Sequence, residues 1–254
     1  MFRLSKKRSK SNKERLDEIH KSYNQKKNKN DFDSIMRFAQ SVLDRTSDLE
    51  GNKDSRDESK EHPLVDVVRL VGRQLQTKYI TNLLYEKYES NLPSLDPEII
   101  LFNPSTDMTL DGISFEDIQI EIGQRKKISL NRDLVLPWPW KTSRIVNCFA
   151  QIGEGRRNGS WRQDFNHNVE LWLPMGIGWV HGGNHSISVG IIQGEGNIIP
   201  SSVYDISKVY DYVGCDGINY FRKEDGFVIS PVKNAEFAAI FEIGRMMKKN
   251  SISY

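Results

Sequence analysis

At 254 residues, with 37% hydrophobic and 10% aromatic residues, the chain can bury a core as one large domain or two small ones. No run approaches the ~18 consecutive apolar residues of a membrane span, and Met1-Phe2-Arg3-Leu4 gives way at once to charge, without the apolar stretch of a signal peptide. Cys148 and Cys215 have neither metal-site nor disulfide-scaffold spacing, so both are expected to be reduced thiols of a cytoplasmic protein.

The net charge of +2 hides an asymmetry. Residues 1–30 hold 11 Lys and Arg against 3 Asp and Glu, a net of +8, and the rest hold 25 against 31, a net of −6. A basic arm on a mildly acidic body can touch nucleic acid by counterion release, or act only as a solvated tail. The wealth of Lys, Asn and Ile is a bacterial style of composition.

Residues 1–30 are read as a basic, partly disordered arm, because Lys13 to Tyr23 is charged nearly all round and lacks a face to bury. Phe32, Ile35, Phe38, Ala39, Val42 and Leu43 recur at helical spacing, so 31–62 reads as a short helix and a polar linker from Gly51 to His62. Pro63 suits a first helical turn, and Leu64, Val67, Val68, Val71, Leu75, Tyr79, Ile80 and Leu83 predict a long amphipathic helix over 63–94.

From residue 95 the texture changes to an α+β domain running to 254. Ile99 to Phe102, Ile113 to Ile122 and Lys127 to Leu136 read as strands, and Pro137-Trp138-Pro139-Trp140 interrupts them, since each proline removes a donor. A helix follows from Thr142 or Ser143 to Gly153, with Ile145, Val146, Phe149, Ala150 and Ile152 on its apolar face. A polar loop carries Arg156, Arg157, Trp161 and Arg162. Val169–Leu173 and Ile177–Val180 read as strands around Pro174-Met175-Gly176, Ile198 to Ile206 as a strand, Tyr210 to Ile229 as hairpin material and Phe237 to Met247 as a closing helix. The expected fold class is therefore α+β, a small mixed sheet with N-terminal helices before it and a C-terminal helix after it.

All five tryptophans lie between Trp138 and Trp179, and three of the five histidines between His167 and His185. Within that window, Trp179-Val180-His181-Gly182-Gly183-Asn184-His185-Ser186 reads as a strand, a tight turn and a helix start. Permissive glycines beside a helix N-terminus can hold an anion, so Gly182, Gly183, Asn184, His185 and Ser186 are the candidate phosphate ligands. Asn184 also suits a plain N-cap.

The order strand, Gly-Gly-Asn-His-Ser, short helix, Gly194-Glu195-Gly196, Ile198-Ile199-Pro200 and strand resembles the ParB/sulfiredoxin-like superfamily over about residues 127–206. The resemblance implies a turn that binds nucleotide phosphates, a nucleotide with magnesium as ligand, and a nuclease or nucleotidase relative. Where that family carries arginine this chain has Ser186, and Gly182 stands where an acidic residue is common. Serine offers one hydrogen bond and no charge, so Arg156, Arg157 or Arg162 would supply the cation.

Two other readings compete. His167, His181 and His185 could ligate zinc, although Gly182-Gly183 opposes one helix carrying His181 and His185. Alternatively the chain is a non-catalytic protein–protein interaction module, using the Arg and Trp residues of 156–162 and the helices of 32–90.

Overall fold

The computed structural model describes residues 12–50, 61–103, 105–123 and 126–254. The first part of the basic arm and most of the expected linker, residues 51–60, lie outside the described residues. The fold is α+β, as expected.

The basic segment is not a separate arm from Asn12 onward. It is the start of helix α1, Asn12–Glu50, which runs unbroken through the boundary expected at residue 30. Pairs such as Lys27–Asp31 and Lys29–Asp33 carry the helix across that boundary. The first buried side chain of α1 among those described is Phe32, followed by Ala39, and from there the helix packs on the body.

Helix α2 spans Pro63–Thr81, so the expected run to residue 94 is too long. His62 Nδ1 caps it by accepting the Leu64 amide at 3.0 Å. Beyond Thr81 the chain breaks into 3₁₀ turns at Asn82–Leu84 and Glu89–Asn91, where Leu84, Tyr85 and Tyr88 are exposed.

Two expected strands are helical turns. Asp96 and Pro97 start α3, Pro97–Ile100, where a strand was expected at Ile99 to Phe102. A reciprocal Ser114–Asp117 capping box starts α4, Phe115–Ile118, and leaves only β1, Ile120–Glu121, of the alternating segment.

The remaining elements in chain order are β2, Ile128–Ser129; β3, Leu134–Leu136; α5, Thr142–Gln151; β4, Val169–Leu173; β5, Ile177–Val180; and α6, Asn184–Gln193. They continue with β6, Asn197–Ile198; β7, Ser202–Asp205; α7, Val209–Tyr212; β8, Val213–Cys215; β9, Asn219–Arg222; β10, Val228–Pro231; and α8, Ala235–Lys249. The single strand expected over Ile198 to Ile206 is thus two, parted at Pro200.

Among the described residues the main sheet has the order β1-β7-β4-β5-β3. Strands β3 and β5 are parallel, and β4 is antiparallel to β5 and parallel to β7. Strands β8, β9 and β10 form an antiparallel sheet, and β2 pairs with β6.

The core lies between the main sheet, α2 and α8. Trp179 of β5 stacks on Phe237 of α8 at 5.6 Å between ring centroids, and Trp172 meets Trp179 edge-on. Helix α2 approaches β3 closely at Gly72, where any Cβ would sit 2.2 Å from Leu134 Cδ2. Gln76 of α2 donates to the Val135 carbonyl at 2.6 Å. At the entry to β3, buried Arg69 pairs with Asp133 at 2.6 Å and also with Glu61. Strand β3 is therefore held firmly up to Leu136, where the chain leaves the sheet for the site.

Candidate functional site

Because β3 and β5 are parallel and β4 runs against them, the segments 137–141, 164–168 and 181–183 gather at one end of the sheet. That end is the carboxyl end of β3 and β5, where open α/β sheets place their ligands. An open cavity of about 650 Å³ lies there, lined by Trp140, Arg144, Asn147, Cys148, Asn166, His181 and all five residues of the glycine turn, Gly182 to Ser186.

The turn demands its glycine. Gly183 has φ of 82°, in the left-handed region, and a Cβ on it would lie 2.3 Å from His167 Cδ2. It is also the N-cap of α6 and offers no side-chain cap. The first intrahelical bond runs from the Ile187 amide to the Gly183 carbonyl at 3.0 Å. The amides of Asn184, His185 and Ser186 have no partner among the described residues. By contrast, the N-terminus of α5 receives a carboxylate, since Glu89 accepts the Thr142 amide at 2.8 Å.

Asn184 and His185 are 5% and 8% exposed, and both brace the Pro-Trp-Pro-Trp segment. Asn184 Oδ1 accepts the Trp138 amide at 2.8 Å, and His185 Nε2 accepts the Lys141 amide at 3.1 Å. Each bond fixes the chemistry of the other pole. An N–H facing Asn184 requires the oxygen there, which turns the Nδ2 amine away as a donor. An N–H facing Nε2 requires a bare nitrogen there, so the neutral ring carries its proton on Nδ1. Burial, then the nearby Arg144, pulls the His185 pKa below the ordinary 6.5, which keeps the ring neutral. Neither Asn184 Nδ2 nor His185 Nδ1 has a partner among the described residues, and neither is among the enclosed side-chain atoms left unpaired. Both donors are therefore open to solvent, on residues that line the cavity.

Arg144 lies on α5 with its guanidinium 4.6 Å from the centroid of the Trp140 ring, and it has no carboxylate partner among the described residues. Trp140 meets His185 edge-on at 5.4 Å. No Asp or Glu lines the cavity.

Ser186 belongs to a chain of bonds with the geometry of a hydrolase triad but the opposite proton placement. The Asp164 amide donates to His167 Nδ1 at 2.7 Å, which leaves the ring proton on Nε2. His167 Nε2 lies 2.5 Å from Ser186 Oγ and donates to it, and Ser186 passes its own proton to the Gly183 carbonyl at 3.2 Å. The Asp164 carboxylate, 3.1 Å from Nδ1, accepts the Asn166 amide at 2.8 Å. With the ring proton placed there, Ser186 clamps the glycine turn and has no base to take its proton.

The loop arginines do not line the cavity: Arg156, Arg157 and Arg162 are exposed outside it, and Arg156 Nη1 bonds the Ile152 carbonyl. The guanidinium in the lining is that of Arg144. Its sequence signal was Arg144, Asn147 and Cys148 at i, i+3 and i+4 of the expected helix, a spacing that puts them on one face. The helix also packs differently from expectation: Ile145, Cys148 and Ile152 face α6, while Val146, Phe149 and Ala150 are exposed.

The three-histidine zinc set is not assembled. Among the described residues no group of three or more His, Cys, Asp or Glu could hold a metal ion. His167 is bound to Ser186 and Asp164, His185 to the Lys141 amide, and His181 lies 3.8 Å from Glu170. The interaction surface expected at 156–162 loses its tryptophan, because Trp161 is buried against Gly190 and Gly196. Among the described residues no helix is long and apolar enough to cross a membrane.

A family model matches residues 17–254, nearly the whole of the fold just described. The chain belongs to that family, described as a family of unknown function (DUF6710). No curated protein and no solved structure matches the chain. The ParB/sulfiredoxin-like resemblance accordingly rests on the sequence order over about residues 127–206 alone.

Proposed function

We propose that the cavity at the start of α6 binds a phosphate-containing ligand, a nucleotide or nucleic acid, through Gly183 to Ser186 and Arg144. One observation carries this reading: the hydrogen-bonding groups in the first turn of α6 that have no partner among the described residues are donors. They are the amides of Asn184, His185 and Ser186, Asn184 Nδ2 and the His185 Nδ1 proton. A carbonyl-rich ligand would satisfy such a set, but the positive end of the helix and a cation without a counter-ion favour a full negative charge. Both cysteines are unpaired, which fits the reducing, cytoplasmic setting of this reading.

The test compares wild type, Arg144→Ala, and a variant with Arg156, Arg157 and Arg162 all changed to Ala, by thermal shift in inorganic phosphate, nucleotides and short DNA. Ligand at ~100 times its dissociation constant stabilises by roughly 2.7 kcal/mol, a rise of several degrees. A rise in wild type and in the triple variant that is lost in Arg144→Ala supports the assignment. Stable wild-type protein that gains nothing from any phosphate compound rejects it.

A further inference from the structure

Building on the phosphate reading, we infer that the ligand is a nucleoside monophosphate bound without a divalent metal, its base laid against the aromatic ring of Trp140. The charge inventory sets the number of phosphates. The cavity offers one guanidinium, Arg144, the partial charge of a helix end worth roughly half an elementary charge, and neutral donors. That matches one terminal phosphate. A triphosphate carries several negative charges and usually travels with magnesium, which proteins hold through one or two carboxylates. The lining contains none, and Glu89 is already bound to the start of α5. The magnesium that the turn's resemblance implies therefore has no carboxylate ligand among the residues that line this cavity.

The space sets the rest of the ligand. A cavity of about 650 Å³ is far larger than a phosphate group and lies inside the range of pockets for small organic ligands. The part of the ligand beyond its phosphate meets aromatic surface. Trp140 lines the cavity and keeps 40% of its surface exposed. Base–aromatic stacking tolerates every base. Asn147, Asn166 and His181 supply polar contacts for a sugar or base edge.

The experiment is isothermal titration of the full chain with inorganic phosphate, ribose 5-phosphate, each of the four nucleoside 5′-monophosphates, ATP, and a 5′-phosphorylated oligonucleotide. Each is run in EDTA and in magnesium, on wild type and Trp140→Leu. The inference expects a monophosphate to bind at least tenfold tighter than ribose 5-phosphate, equally in EDTA and magnesium. It expects Trp140→Leu, which also removes the ring beneath Arg144, to cut monophosphate affinity on the order of tenfold more than phosphate affinity. Tighter binding of the oligonucleotide than of the free nucleotide identifies the same terminal group at a strand end. Equal affinity for phosphate, ribose 5-phosphate and monophosphates would overturn the inference and leave the phosphate site standing. Binding of ATP that requires magnesium would overturn it too. No binding of any phosphate compound by folded protein would remove the underlying reading as well.

Discussion

His185 Nε2 accepts the backbone amide of Lys141 at 3.1 Å, across 44 residues of sequence. With Asn184 and Trp138 it ties the loop after β3 to the helix after β5. Prolines at 137 and 139 leave that loop short of ladder partners, and the first two side chains of α6 supply acceptors instead. His185→Ala deletes such an acceptor and leaves the Lys141 amide unmet, a loss of about 1–3 kcal/mol. For a chain of this size the melting temperature should fall by several degrees. Differential scanning calorimetry of wild type and variant checks it; an unchanged melting temperature would show that the bond contributes nothing.

Gly183 and Gly155 separate two costs that glycine positions usually mix. Both have positive φ, 82° and 73°, but a Cβ on Gly183 meets His167 at 2.3 Å whereas a Cβ on Gly155 meets nothing within 4 Å. Gly155→Ala should therefore show only the left-handed penalty, about 1–2 kcal/mol. Gly183→Ala adds overpacking against a buried ring, about 1–3 kcal/mol more. Urea melts of the two variants should differ by at least ~1 kcal/mol. Equal losses would mean that the ring of His167 moves aside freely.

Much of this end of the fold was legible because it is local. The glycine pair between a strand and a short apolar helix left one conformation open to the turn, and Pro174-Met175-Gly176 marked the hairpin of β4 and β5. What was not legible depends on contacts far along the chain. Arg144 comes to line the cavity only because β3 and β5 lie side by side, which places the start of α5 over the start of α6. The arginines of 156–162 were closer in sequence to the glycine turn and point to solvent. Short capping boxes also outweighed alternation at Ser114 to Asp117, where four residues of local hydrogen bonding set the backbone before any sheet partner could.

Acid should loosen this site before the rest of the protein. Burial is the leading cause that lowers the pKa of both His167 and His185 from 6.5. In each case the unfolded chain binds the proton more readily than the folded one, so stability is complete above about 6.5 and declines as pH falls through the folded values. A melting temperature lower at pH 5 than at pH 7.5 is expected, with a shallower decline in His185→Gln. An identical decline in that variant would assign the acid sensitivity elsewhere.

Asp164, His167 and Ser186 invite a hydrolase reading that their protons oppose. A serine nucleophile needs a bare imidazole nitrogen to take its proton. Here the Asp164 amide occupies Nδ1, so the bare nitrogen faces Asp164 and the ring proton faces Ser186. Reversing this would break the Asp164 amide bond and leave that amide facing a second N–H. Ser186 should therefore resist a fluorophosphonate probe, and wild type should show no burst of product from an activated ester. Ser186→Ala should act on stability alone, by removing the acceptor of His167 and loosening the turn by about 1–3 kcal/mol. Mass-spectrometric detection of the probe on Ser186 would reverse the proton assignment and make the triad a working one.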